Sequence, residues 1–206
     1  LSIIERTPRE CFERFRAVLA GLLSKTVDGE CPVLCEAGPA IATIGFKRGK
    51  EFVSVPLQTD RFKGLSLYVI QTVKAQRIDK GSNKGRHLLR TIHYSYRIEE
   101  DEQGGAREPL MRWEYKIADP GIAGPPRHHA HLAHRNARKG ELDYDKLHIP
   151  AWVTIEEVVR FVIHELGHSS PCGDSWPLVL AESESHFYEK LSSKGCPRAG
   201  SGECPL

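Results

Sequence analysis

The 206-residue sequence predicts an α+β domain: an N-terminal helix, an antiparallel β-sheet, and two C-terminal helices. Apolar residues recur at helical spacing near both ends of the chain and alternate with polar ones at period two through its middle. Residues 88–98 and 110–117 alternate most cleanly, as expected when one sheet face meets a core and the other meets solvent or a ligand. A composition 40% apolar and 27% charged suits a globular fold. One domain is expected over residues 1–193, with the Gly-, Pro- and Cys-containing stretch 194–206 as a flexible tail.

Thr7-Pro8-Arg9-Glu10 opens the first helix. Thr7 caps it, Pro8 suits its first turn, Glu10 closes a capping box, and Phe12, Phe15, Leu19 and Leu22 form its buried stripe. Residues 41–46 and 52–57 flank Lys47-Arg48-Gly49-Lys50 and read as a hairpin. Residues 65–73 form a further strand, and the polar stretch 79–85 a loop.

In 88–98, Ile92, Tyr94, Tyr96 and Ile98 are expected on one face and Thr91, His93, Ser95 and Arg97 on the other. In 110–117, Met111, Trp113, Tyr115 and Ile117 oppose Arg112, Glu114 and Lys116. After the turn-rich stretch 119–126, residues 127–134 hold four histidines in eight residues, and a third strand of the meander is expected there. A short strand near 147–150 follows. Thr154-Ile155-Glu156-Glu157 is a second capping box, opening a helix expected to reach Gly167, and a last helix begins around Pro177.

The net charge of +2 hides a basic stretch between residues 60 and 97, where nine Lys and Arg face only Asp60 and Asp79. Such a stretch beside a histidine-rich face suits a polyanion, nucleic acid above all. RNA cleavage without metal needs a base for the 2′-hydroxyl, an acid for the leaving oxygen, and cations on the phosphate. His129 and His131, or one of them with Glu114 or His93, supply acid and base; Arg97 and Arg112 hold the phosphate. That reading needs no cofactor. A His-x-His metal site with Glu114 is a further use of the same residues.

His164-Glu165-Leu166-Gly167-His168 fits H-E-x-x-H, in which two histidines one helical turn apart hold zinc and the glutamate acts as general base. Glu182 or His186 is then the third ligand. Against it, Ser169-Ser170-Pro171 breaks the helix at once. A solvated outer helix face explains the same residues.

The six cysteines are expected to be reduced thiols, since Cys31 and Cys35 lack the second pair that a zinc ribbon requires. No run approaches the roughly 20 apolar residues of a membrane span, and residues 1–6 lack signal-peptide character, so a cytoplasmic protein without membrane association is expected.

Arg112-Trp113-Glu114, then His128-His129-Ala130-His131, then Pro150 and the helix start Thr154-Ile155-Glu156 resemble the TumE-type toxins of bacterial toxin–antitoxin pairs, over residues 87–166. Glu114 replaces that family's aspartate, and the paired histidines that usually follow are missing. The segment 147–167 also resembles uncharacterised bacterial proteins in which position 168 need not be histidine. The resemblance implies a cytoplasmic toxin acting on RNA and neutralised by an antitoxin protein. The expected functions are therefore a toxin-like RNA-cleaving protein, a zinc metallopeptidase as the alternative, and a non-catalytic interaction module as the third.

Overall fold

The computed structural model describes residues 3–60, 62–101, 107–116, 128–135, 142–148 and 152–188, with side chains described over 3–60, 62–100, 109–115, 130–132 and 152–186. The expected tail, 194–206, lies outside the described residues. The architecture is α+β. In chain order the elements are β1 (Ile4–Glu5), α1 (Pro8–Thr26), β2 (Val33–Ala37), β3 (Ile41–Arg48), β4 (Glu51–Phe52), β5 (Ser54–Pro56), β6 (Leu65–Arg77), β7 (His87–Asp101), β8 (Arg107–Lys116), β9 (His128–Arg135), β10 (Leu142–His148), α2 (Ile155–His164) and α3 (Trp176–Tyr188).

The strands form one antiparallel sheet in the order β10-β9-β8-β7-β6-β3-β2, with β1 on β7, β5 on β6 and β4 on β3. Period-two alternation places Leu67, Val69, Val73, Tyr94, Tyr96 and Ile98 on one face, each nearly fully buried. Phe12, Phe15, Leu19 and Leu22 of α1, Val158, Val159 and Val162 of α2, and Leu180 of α3 join the same cluster. All three helices thus cover one face, and among the described residues none covers the other.

Both expected capping boxes form: Thr7 with Glu10 at α1, and Thr154 with Glu157 at α2. Aromatic packing locks α2 and its approach to the sheet. Trp152 meets Tyr94 edge-on at 5.4 Å and Tyr115 at a tilt at 4.7 Å, and Trp113 meets Phe161 edge-on at 5.7 Å. Burial pushes the Tyr94 phenol up to about 12, and its oxygen accepts a hydrogen bond from the Val153 N–H.

Three local departures from the sequence reading have identifiable causes. The strand β2, not expected, pairs with β3 and forms the sheet edge. Strand β7 carries a bulge: Thr72 pairs His93 but Val73 pairs Thr91, so Ile92 is the extra residue. A bulge reverses the alternation beyond it. Thr91 therefore joins the core side, where it accepts a hydrogen bond from Gln71, and Arg90 moves to the open face. Finally, α2 stops at His164 instead of reaching Gly167. Gly167 takes a left-handed φ of 70°, and the His168 N–H bonds back to the Val162 carbonyl six positions earlier, so the chain turns off the helix at this glycine.

No helix of the described residues is long and apolar enough to cross a membrane.

Candidate functional site on the open sheet face

The register of the meander decides which polar residues meet. Arg97 stands opposite Arg112, and Arg112 opposite His131, so the three lie in one row across β7, β8 and β9. The next row on that face runs Ser95, Glu114, His129, and the one after pairs His93 with Lys116. With strands about 4.8 Å apart and about 3.4 Å per residue along them, Arg97, Arg112, Glu114 and His131 are near neighbours. His93 is displaced by two strands and four residues from His131, so a single phosphate cannot touch both. The structure brings together four of the expected residues, places His129 in register with Glu114, and leaves His93 at the far end.

The Arg97 and Arg112 side chains are half-buried, 29% and 34% exposed. Arg97 Nε lies 3.2 Å from Glu99 Oε1, and Arg112 Nε lies 3.4 Å from Glu114 Oε2. These are ion pairs without hydrogen-bond alignment, and both buried Nε–H groups lack an acceptor among the described residues. Each arginine is thus paired with the glutamate two residues later on its own strand. Because the strands are antiparallel, the two glutamates diverge to opposite ends of the row, and the two guanidiniums are left side by side between them. Like charges directly opposite each other weaken a sheet.

Arg97 is further fixed by Tyr68 on β6, whose ring centre lies 3.8 Å beneath the guanidinium. Glu99, only 5% exposed in its side chain, also accepts a hydrogen bond from Ser54. Tyr68, Ser54 and Glu99 were not anticipated from sequence. The i, i+2 repetition of Arg-x-Glu in two adjacent strands was the available signal for the glutamate, while Tyr68 and Ser54 required the pairing of β5 and β6 with β7.

Two clefts lie elsewhere, about 280 Å³ between α1 and α3 and about 560 Å³ between the start of α1 and β2, and neither is lined by residues of the row.

The H-E-x-x-H residues take a different arrangement from the expected one. His168 lies beyond the helix end, 4% exposed, and bridges by backbone pairing to Thr59. Its Nδ1 accepts from the Gln58 N–H at 3.0 Å, and its Nε2 donates to the Val27 carbonyl at 3.2 Å. Both ring nitrogens are committed to backbone, and burial pushes the imidazole pKa down. His164 is exposed and contacts Glu165 at 3.0 Å. Glu182 is 67% exposed on α3 and lies 4.0 Å from Lys25. These residues do not fit a zinc ion: the neutral lone pair of His168 is already used, and among the described residues no three His, Cys, Asp or Glu side chains converge.

Cys11, Cys31, Cys35 and Cys172 are free thiols. Burial pushes Cys11, Cys31 and Cys35 upward, away from the thiolate form that a metal needs. No protein-family model matches the chain, and no curated protein or solved structure matches it either.

Proposed function

We propose that the protein binds and cleaves RNA on the open sheet face, as a toxin held in check by an antitoxin protein. The observation carrying this reading is the cross-strand alignment of Arg97 with Arg112, next to His131, on a face that no described helix covers. Two opposed guanidiniums cost the sheet stability unless an anion bridges them, and planar guanidinium forks match phosphate oxygens.

In this reading Arg97 and Arg112 hold the non-bridging oxygens of one phosphate. His131 takes the proton of the adjacent 2′-hydroxyl. The 2′-oxygen bonds to phosphorus as the bond to the 5′-oxygen breaks, and the leaving oxygen receives a proton from a second carrier, His129. The products are a 2′,3′-cyclic phosphate and a 5′-hydroxyl. The toxin role and the antitoxin partner rest on the TumE-like segments around Arg112-Trp113-Glu114 and His128-His129-Ala130-His131. A cytoplasmic place of action, where RNA is met, accompanies them.

The test is cleavage of an oligoribonucleotide in the presence of a metal chelator. The wild-type protein is expected to give cyclic phosphate ends and to spare a strand with 2′-deoxyribose at the scissile position. His131→Ala should lose about 10²–10⁴ in rate, whereas His164→Ala should match the wild type. Cleavage abolished by chelator, or lost in His164→Ala and kept in His131→Ala, would sink the proposal.

A further inference from the structure

The β7 bulge has a consequence for the open face. Arg90, which unbroken alternation would put on the core side, pairs instead with Lys74 on the open side; both are exposed. Among the described residues, their neighbours in register on that face, Ile41, Thr72, Gln76 and Leu88, include no acidic side chain. The face therefore carries two like-charged cross-strand pairs, Lys74 with Arg90 and Arg97 with Arg112. They are separated along β7 by seven residues, one of them the bulge, or about 20 Å.

From this spacing we infer that Lys74 and Arg90 form a second phosphate subsite, and that the substrate is a single RNA strand lying along β7 from one cationic pair to the other. The inference rests on the proposed RNA function and specifies its substrate. One phosphate cannot span the two pairs, so the ligand has several. Arg97 adds the preference for a single strand. Its guanidinium is held over the Tyr68 ring at 3.8 Å and paired with Glu99, and a guanidinium is a planar group on which an unstacked base can lie. A duplex keeps its bases inside and cannot use that surface.

The test compares an unstructured oligouridylate long enough to reach both pairs with a dinucleoside monophosphate, which has one phosphate. Lys74→Ala/Arg90→Ala should weaken oligouridylate binding and reduce the steepness of its salt dependence by about 0.7, the share of one single-strand phosphate. The same variant should cleave the dinucleotide within about two-fold of wild type, because the residues near the scissile phosphate are intact. Lys74→Arg, which keeps the charge, should behave as wild type. An unchanged salt dependence, an equal loss on both substrates, or equal wild-type affinity for duplex and single strand would overturn the subsite while leaving RNA cleavage standing. A wild-type protein that neither binds nor cuts any RNA would overturn both.

Discussion

His168 ties together the end of α1 at Val27, the β5–β6 connection at Gln58, and the turn after α2. Removing its ring leaves the buried Val27 carbonyl and the part-buried Gln58 N–H without this partner, so His168→Ala should cost about 2–3 kcal/mol in a urea titration. The pH dependence has a definite sign. Burial lowers the folded pKa below the ordinary 6.5, so the neutral ring is the one the fold accepts. Stability from this group is complete above about pH 6.5 and is lost as pH falls through the lowered folded value. Glu156 has the opposite sign. It is 1% exposed, accepts a hydrogen bond from Ser183 at 2.6 Å, and has a pKa raised by burial. Its contribution is complete below its ordinary value and is lost as pH rises through the raised one. Glu156→Gln keeps an acceptor for Ser183 and removes the charge, so it should flatten the loss of stability as pH rises through the raised value and raise the thermal midpoint above it. A lowered midpoint would show that the carboxylate has a partner that the amide cannot replace.

At the scale of elements, two glycines separate strain from space. Gly167 has φ of 70° with open room where a Cβ would be, so Gly167→Ala should cost only about 1–2 kcal/mol of backbone strain. A Cβ on Gly45 of β3 would lie 2.1 Å from the Val69 carbonyl oxygen, so Gly45→Ala must push β3 from β6 and should be the more damaging of the two by urea midpoint. The helices, their caps and the long alternating strands were legible because each is encoded within a few residues. The bulge at Ile92 was not. The pattern Thr91, His93, Ser95, Arg97 reads as one uninterrupted polar face, and only the pairing of Val73 with Thr91 reveals the slip. The end of α2 was legible in principle, since Gly167 is a helix-stop signal, and it places His168 outside the helix that H-E-x-x-H requires. Where a helix-stop glycine falls inside a spacing motif, the backbone conformation overrides the motif. The expected polar face of the meander was readable as alternation, but which residues meet across it depended on register, and that placed His93 far from His131.

Among the described residues the sheet is a partition, with the core and the three helices on one side and the cationic rows on the other. Substitutions on the two faces should therefore separate binding from stability. Arg112→Ala removes a half-buried cation from the open face. It relieves the repulsion with Arg97 and frees Glu114 to reach water, so unfolding should change by less than about 1 kcal/mol. RNA affinity should nevertheless fall, and the salt dependence should lose at most about 0.7, the share of the one phosphate that Arg97 and Arg112 hold together. Leu67→Ala acts on the other face. Leu67 is fully buried in the core cluster, and its truncation should cost about 2–5 kcal/mol. RNA affinity, measured where that variant is still folded, should be unchanged. Paired titrations of both variants, by urea and by RNA, check the division. If Leu67→Ala weakens RNA binding as much as Arg112→Ala does, the two faces are coupled through the strands, and the open face cannot be treated as a rigid binding surface.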